Sequence, residues 1–196
     1  MTSQNKNIIY PVILKVPEEK RAFSGRESAG FLSQYAREAV VLSAKKTGMD
    51  LAVFEKGSDG VPLPSNGIFW SLSHKPKYVV GVMSETPIGI DIERIRPVQA
   101  SLVNRIIDNV ERQLAGTISD ALFFRFWTAK ESVLKAAGVG LKGLSQCKIN
   151  RIIDETHLIV FYDQKYWMVE HAHYDNHLVS VVIKDQKVRW CESVTG

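Results

Sequence analysis

The sequence predicts an α+β fold made of two halves with a similar layout. Its 196 residues, 45% of them hydrophobic, are enough to bury a sizeable core. Two long stretches carry apolar residues at helical spacing, and runs of strand length flank them. The order strand, helix, strands occurs twice along the chain. Separate runs of helix and strand are typical of α+β proteins.

The first half is predicted to span residues 1–86. A strand over residues 8–16 precedes a basic, turn-rich stretch and then a helix over residues 27–46, which Gly48 ends. A Gly- and Pro-containing stretch breaks the chain before strands at residues 68–72 and 78–83. This half is expected to be one strand, one long helix and two further strands.

The second half, residues 87–196, repeats that order with more strands. A strand at residues 88–92 is followed by helices over residues 101–114 and 120–137, and Gly138 ends the second of them. Four β segments complete the half, at residues 147–153, 158–162, 167–173 and 178–183.

Composition narrows the function only slightly. The 25 Lys and Arg residues against 21 Asp and Glu give a net charge of +4, which suits anionic partners but does not indicate nucleic acid. Only Cys147 and Cys191 are present, so neither a disulfide framework nor a thiolate metal site is indicated, and a reducing cytoplasm is expected. The apolar stretch at residues 8–14 contains Pro11 and is too short to span a bilayer. We expect no membrane partner.

Two carboxylates of the segment GIDIE are predicted to share one face of a strand. Side chains two positions apart in a strand point the same way, about 6.5 Å apart, so Asp91 and Glu93 face one side while Ile90 and Ile92 face the core. Magnesium prefers such oxygen ligands. The alternative is an exposed strand with ordinary alternation of polar and apolar residues.

The helix over residues 120–137 carries a second group of charged side chains. Trp127, Glu131 and Lys135 recur every four residues and form one stripe, with Lys130 beside it. One interpretation is a solvent-exposed ion pair between Glu131 and Lys135. A Trp on the same stripe instead favours a partly enclosed site.

Together these segments resemble the paired signature of the 4′-phosphopantetheinyl transferases. GIDIE matches one part and FWTAKESVLK (residues 126–135) the other, with Glu131 forty positions after Asp91. WSLSHKPKY (residues 70–78) resembles the family's segment ending in Ser-His, and GVPLP (residues 60–64) its upstream Gly and Pro turn.

The resemblance implies a Mg²⁺-dependent transfer of 4′-phosphopantetheine from coenzyme A to a serine of an apo acyl or peptidyl carrier protein, releasing adenosine 3′,5′-bisphosphate. Chain length favours the longer, surfactin synthetase activator-like type, a monomer with its active site in the cleft between two pseudo-symmetric halves. The alternatives are the short, trimeric holo-acyl-carrier-protein synthase type and a non-catalytic basic module that binds an acidic protein or a nucleic acid.

The resemblance also implies roles for individual residues. Asp91, Glu93 and Glu131 match the magnesium ligands, and Lys135 matches a lysine that contacts the α-phosphate and protonates the leaving group. Glu131 is the expected base for the carrier serine, with Glu111 as the alternative.

Further residues are expected to bind coenzyme A. In the family the Ser-His histidine contacts the 3′-phosphate, which implies this role for His74, with help from its neighbours. Lys130 either supports the pyrophosphate or is structural, and the upstream arginines either bind nucleotide phosphates or form a solvated loop. The expected set is Ser73, His74, Lys75, Arg21, Arg26, Lys130 and Lys135.

Overall fold

Two larger β-sheets, one two-stranded sheet and four α-helices make up the described part of the chain in the computed structural model, which describes residues 7–22, 24–49, 53–58 and 60–193. The α+β class is therefore confirmed. The first sheet has the order β11-β2-β4-β3, the second has the order β5-β9-β8-β7-β6, and β1 pairs with β10. The strands are β1 Ile8–Ile9, β2 Val12–Lys15, β3 Phe69–His74, β4 Tyr78–Ser84, β5 Ile90–Arg94, β6 Lys148–Ile152, β7 His157–Tyr162, β8 Lys165–Tyr174, β9 His177–Ile183, β10 Lys187–Val188 and β11 Cys191–Ser193.

Helix α1, Gly25–Thr47, packs against the first sheet. A 3₁₀ helix at Glu18–Ala22 precedes it, and Gly48 ends it in the left-handed conformation, with φ 72°, as predicted. Sheet and helix approach closely at Gly81 of β4, where an added Cβ would lie 2.5 Å from the backbone nitrogen of Val40. Only glycine permits this distance.

The three remaining helices follow β5. The single helix predicted over residues 101–114 is wrong, because the chain forms α2 (Ala100–Ile106) and α3 (Asn109–Ala115) with an extended break at Ile107. Asp108 causes the restart: its side chain accepts a hydrogen bond from the Glu111 backbone, and the Glu111 side chain accepts one from the Asp108 backbone. This reciprocal capping fixes a new helix start.

Helix α4, Asp120–Ala137, has the predicted bounds. The Ser119 side chain accepts a hydrogen bond from the Leu122 backbone at the start, and Gly138 ends the helix with φ 70°. At Gly89, just before β5, an added Cβ would lie 1.8 Å from the Ser132 carbonyl oxygen, so α4 packs directly on the strand that carries the predicted carboxylates.

The strand connections are similar in the two parts of the chain. In the first, β2 leads to α1 and pairs antiparallel with β4; in the second, β5 leads to α2, α3 and α4 and pairs antiparallel with β9. After β9 the chain returns to the first part, where β11 pairs parallel with β2. The boundary between residues 86 and 87 remains a prediction. Within the described residues, no helix has the length and apolar character needed to cross a membrane.

Candidate active site

Strand β5 presents its two carboxylates to helix α4 and strand β3. Ile90 and Ile92 are fully buried on the opposite face, where they join a core with Val179 and Val181. Asp91 and Glu93 are only 5% and 8% exposed. The predicted alternation is confirmed, whereas the alternative of an exposed strand is wrong, because the packed helix covers that face.

The predicted stripe of α4 lies along these carboxylates. Lys135 donates to Asp91 Oδ1 at 2.7 Å and to the Ile90 carbonyl oxygen at 3.0 Å. About two helical turns before Lys135, Trp127 Nε1 donates to Glu93 Oε1 at 3.3 Å. Lys135 therefore pairs across to β5 and not with Glu131, so the stripe belongs to an enclosed site and not to a solvated helix face.

Cations and hydroxyl groups satisfy only part of each carboxylate. Ser73 of β3 donates to Asp91 Oδ1 at 2.8 Å, and Lys75 lies 2.7 Å from Glu93 Oε1. Asp91 Oδ2 and Glu93 Oε2 are buried and accept no hydrogen bond in the described structure. Arg96 lies 3.6 Å from Glu93 Oε2. A buried acceptor without a donor costs about 1–3 kcal/mol. The orphaned oxygens therefore suit a bound cation.

The donor set fits magnesium chemically, since it consists of carboxylate oxygens. Among the residues that the structure describes, however, no three His, Cys, Asp or Glu side chains are already arranged to hold a metal ion. Lys135 and Lys75 each occupy one oxygen of the two strand carboxylates. A metal ion would therefore compete with these ammonium groups for the same side chains.

Glu131 lies between Trp127 and Lys135 on α4 and is half-buried. Burial raises its pKa to about 7, and repulsion from Asp91 and Glu93 adds to this, while Lys135 opposes it. No hydrogen bond fixes the Glu131 side chain in the described part of the chain. Near neutral pH this carboxyl group can therefore either hold or accept a proton.

Basic side chains also lie near Lys135. We name Arg37, Lys56, His74 and Lys135 the inner basic cluster. Burial lowers the pKa of His74, and the charges of Lys135, Lys75 and Lys56 lower it further, so His74 is neutral at pH 7. Although Lys56 is exposed overall, desolvation of its ammonium group and repulsion from Arg37 and Lys135 lower its pKa as well.

Within the described residues, Lys135 is the one member of the inner basic cluster that forms an ion pair, and its partner is Asp91. Arg37 comes from α1, and its Nε atom is buried without a hydrogen-bond partner in the described structure. Several cations near one another repel unless an anion binds among them. The sequence interpretation missed Arg37 and Lys56. Arg37 lies on a predicted helix, where nothing in the local sequence indicates a binding role. Lys56 lies in a stretch without helical or strand periodicity.

Comparison with known proteins matches this segment to a family. The sequence model of the 4′-phosphopantetheinyl transferase superfamily matches residues 87–182, which include β5, α4 and the predicted magnesium ligands. Residues 87–182 belong to this superfamily.

The similar proteins include two named 4′-phosphopantetheinyl transferase and one named as an enterobactin synthase component. The 4′-phosphopantetheinyl transferase psf-1 of Bacillus pumilus is 34% identical over 106 residues, which are 50% of this chain and 45% of the relative. The 4′-phosphopantetheinyl transferase Sfp of Bacillus subtilis strain 168 is 30% identical over 101 residues, or 49% and 44% of the two chains. Enterobactin synthase component D of Salmonella typhi is 35% identical over 130 residues, or 62% and 54%. The chain spans about half the length of the curated relatives it matches.

Two predicted residues of the superfamily segment lie away from the carboxylate site. Lys130 contacts Glu111 Oε1 at 2.7 Å, and both side chains are 1% exposed. Lys130 also donates to the Ile106 carbonyl oxygen, and the Ile149 backbone donates to Glu111 at 2.7 Å. The pair therefore ties α2, α3, α4 and β6 together in the interior.

The upstream arginines also lie apart from the site. Arg21 donates to the Val16 carbonyl oxygen at 2.9 Å and pairs with Glu18 at 3.3 Å. Arg26 is exposed in the first turn of α1. Neither contacts a carboxylate of β5 in the described structure. The structure thus brings together seven predicted residues, namely Ser73, His74, Lys75, Asp91, Glu93, Glu131 and Lys135.

Proposed function

We propose that this chain transfers 4′-phosphopantetheine from coenzyme A to a serine of an apo carrier protein and releases adenosine 3′,5′-bisphosphate. The observation that carries this proposal is the position of Asp91, Glu93 and Glu131, within the superfamily segment, beside the inner basic cluster. Three carboxylates for a metal ion and several cations for phosphates are what a reaction on a pyrophosphate needs. The order of GIDIE, α4 and the Ser-His segment supports the same activity.

Asp91, Glu93 and Glu131 would hold magnesium. When bound, the ion would neutralise charge on the pyrophosphate of coenzyme A. The orphaned oxygens of Asp91 and Glu93 support this assignment, since a cation would satisfy both. Without a metal ion, Lys135 balances the charge of Asp91 and Lys75 balances that of Glu93.

The inner basic cluster would bind the phosphates of coenzyme A. Arg37 and Lys56 join His74 and Lys135 in this role, and Ser73 adds a hydroxyl group that also contacts Asp91. A neutral His74 donates one ring N–H to a phosphate oxygen. Lys135, which pairs with Asp91 at 2.7 Å, would supply a proton as the leaving group departs.

Glu131 is the proposed base for the carrier serine. The serine oxygen forms a bond to the β-phosphorus of coenzyme A, and the bond from that phosphorus to the bridging oxygen breaks. Glu131 takes the serine proton. The fully buried Glu111 has no exposed oxygen for that step, so we assign Glu111 and Lys130 a structural role. A phosphate-binding role for Arg21 and Arg26 stays a prediction.

One chain supplies the whole proposed site. Ser73 of the first sheet bonds to Asp91 of the second, and Lys135 approaches the Leu72 carbonyl oxygen at 3.5 Å. This supports the monomeric, longer type with a site between two halves, because the short type forms its sites between subunits. A solution mass near 22.0 kDa would agree, and a mass three times larger would favour the trimer.

We also propose a cytoplasmic enzyme with no nucleic-acid or membrane partner.

The direct test is transfer measured by intact mass. Purified protein is incubated with Mg²⁺, coenzyme A and an apo acyl or peptidyl carrier protein, and the carrier mass should increase by one phosphopantetheine group. A carrier whose acceptor serine is replaced by alanine and a reaction with excess chelator should both show no increase. If the carrier binds but its mass does not change under any condition, the non-catalytic binding module is favoured. A panel of apo carriers then identifies the preferred class.

A further inference from the structure

A hydrogen bond between Tyr78 and Asp175 joins the two larger sheets near the candidate site. The core shared by these sheets contains Tyr78 from β4, Ile92 from β5 and Val179 from β9. Tyr78 is the first residue of β4 and is 3% exposed, and its hydroxyl group donates to Asp175 in the β8–β9 turn. The bond therefore crosses from the first sheet to the second at one end of their common core.

The Tyr78 side chain is fixed on several sides. Its ring makes edge-to-face contacts with the rings of Tyr174 and His177, each with 4.9 Å between the ring centres. Hydrogen bonds from Lys77 and from Tyr78 lower the pKa of Asp175 to about 2, so the acceptor is ionised at pH 7. A hydrogen bond to an ionised acceptor is stronger than one between neutral groups. Packing and charge thus hold the hydroxyl group in one place.

The β8–β9 turn that receives Tyr78 is itself tied to β5. Asp175 and Asn176 have φ angles of 43° and 58°, which are typical of a tight two-residue hairpin turn. The Asn176 side chain donates to the Ile95 carbonyl oxygen at 3.1 Å, and the Ile95 backbone donates to the Asn176 carbonyl oxygen at 2.9 Å. Ile95 lies two residues after Glu93, so the turn is anchored to the strand that carries the proposed magnesium ligands.

The β3–β4 turn connects Tyr78 to the other side of the site. The backbone nitrogens of Lys75 and Tyr78 donate to each other's carbonyl oxygens, at 2.8 and 3.2 Å. Lys75 lies 2.7 Å from Glu93 Oε1, and Ser73 donates to Asp91 Oδ1 at 2.8 Å. The contacts therefore form a closed ring, which runs from Glu93 through the β8–β9 turn, Tyr78 and Lys75 back to Glu93.

The far end of β4 offers a comparison. Gln186, which follows β9, donates to Thr86 Oγ1 at 2.8 Å, and Thr86 follows β4. This bond also links the two larger sheets. Because β4 has seven residues, its two ends lie about 20 Å apart. In β3, His74 pairs with Val79, which is next to Tyr78. The proposed phosphate-binding residues of β3 therefore lie at the Tyr78 end and not at the Thr86 end.

We propose that Tyr78 is a positioning residue, whose hydrogen bond to Asp175 sets the distance between the β3–β4 turn and the carboxylates of β5. This inference rests on the proposed function, in which the end of β3 binds phosphates of coenzyme A and β5 binds magnesium. Coenzyme A has to contact both at once, so a fixed separation lowers the entropic cost of binding. The Tyr78 hydroxyl group contacts Asp175 and acts through Ser73 and His74.

The test compares Tyr78→Phe with Thr86→Val, since each removes one hydroxyl group from a bond between the sheets and keeps nearly the same volume. With coenzyme A as the probe and no carrier present, Tyr78→Phe should raise the Kd measured by calorimetry about fivefold or more, because the phosphate-binding groups lose their fixed position. Thr86→Val should stay within about twofold of the wild type.

Steady-state transfer gives the second readout. Tyr78→Phe should raise the KM for coenzyme A by a factor similar to that in Kd, while its kcat and its KM for the carrier stay within about twofold of the wild type. Urea unfolding of both variants measures stability separately. A hydroxyl group that only stabilises the fold would change the unfolding midpoint and leave the affinity for coenzyme A unchanged.

Variants of the acceptor separate the hydrogen bond from the charge of Asp175. Asp175→Ala should weaken coenzyme A binding as much as Tyr78→Phe does. Asp175→Asn keeps an acceptor oxygen and should recover most of the affinity that Asp175→Ala loses. The double variant, Tyr78→Phe with Asp175→Ala, should bind no more weakly than either single variant, because both changes remove the same bond.

The outcomes are distinguishable. If Tyr78→Phe binds coenzyme A as tightly as the wild type, or if Thr86→Val weakens binding equally, the positioning proposal is wrong while the transferase proposal stands. Additive losses in the double variant would also contradict it. If the wild type binds coenzyme A but transfers nothing, the proposed function fails, and a positioning role in that reaction fails with it.

Discussion

Helix α4 carries two lysines that each pair with a carboxylate at 2.7 Å, and the two pairs have opposite surroundings. Lys130 and Glu111 are both 1% exposed, whereas the Lys135 and Asp91 side chains are 26% and 7% exposed. Distance alone does not separate them. Their hydrogen bonding and exposure do.

The Glu111 carboxylate is fully satisfied. Lys130 contacts both oxygens, and the Ile149 and Asp108 backbones each donate to one of them. Asp91, by contrast, has one buried oxygen without a donor. A saturated pair stabilises the fold at the junction of several elements, while an unsaturated pair retains capacity for a ligand. This contrast separates the structural pair from the proposed catalytic one.

The largest effect should come from the unsaturated pair. Asp91→Ala is expected to lower kcat/KM by about 10³-fold or more, because it removes a proposed metal ligand and charge stabilisation of the transition state. The unfolding midpoint should change little, since Lys135 is partly exposed and can be hydrated. Transfer kinetics and urea unfolding measure the two effects.

Glu155→Ala is the matched control, since it removes an exposed carboxylate from the β6–β7 turn at the far edge of the second sheet. It should leave activity and unfolding unchanged. Near-normal turnover by Asp91→Ala would show that the metal assignment is wrong.

The saturated pair should show the reverse pattern. Glu111→Ala is expected to lower the free energy of unfolding by about 3–5 kcal/mol, because Lys130 would remain buried without its counter-ion. Urea unfolding measures this loss. Replacing both members, as Glu111→Gln with Lys130→Met, should recover part of the stability because no buried charge is left.

Activity separates a structural from a catalytic role for this pair. Where the double variant folds, its kcat should remain within about tenfold of the wild type. A stable double variant with no measurable turnover would instead favour Glu111 as the base.

Helix α4 could be predicted to the residue, while its neighbours could not. Strong apolar periodicity, Ser119 before the helix and Gly138 after it give unambiguous local signals. The sequence predicts one continuous helix here, whereas the break between α2 and α3 depends on reciprocal capping by Asp108 and Glu111. The D-x-x-E spacing was the available signal.

The candidate site also has one part that the local sequence could predict and one part that it could not. The pairing of Asp91 with Lys135 follows from two local patterns, a strand and a helix, whose order matches a family signature. The inner basic cluster needs Arg37 and Lys56 to meet from a helix and an irregular segment, which only tertiary packing brings about. Burial of Asp91 likewise depends on how closely α4 packs at Gly89.

The smallest expected effect concerns Glu131 and pH. Its pKa rises from 4.5 in the unfolded chain to about 7 in the fold, so the folded state binds more protons between these values. Stability from this group therefore falls as pH rises from about 4.5 to 7 and stays low above that. Glu131→Gln, which cannot ionise, should be more stable than the wild type at pH 8 by about 1–2 kcal/mol, less than the full shift corresponds to because the side chain is partly solvated.

The advantage of Glu131→Gln should disappear at about pH 4, where the glutamate is protonated in both states. Urea unfolding of both proteins across this range measures the difference. Glu38→Gln, the same change on the exposed face of α1, should show no such pH dependence. If Glu131→Gln gains nothing at pH 8, then Glu131 is already compensated in the fold, and the distinction between saturated and unsaturated carboxylates fails at the residue proposed as the base.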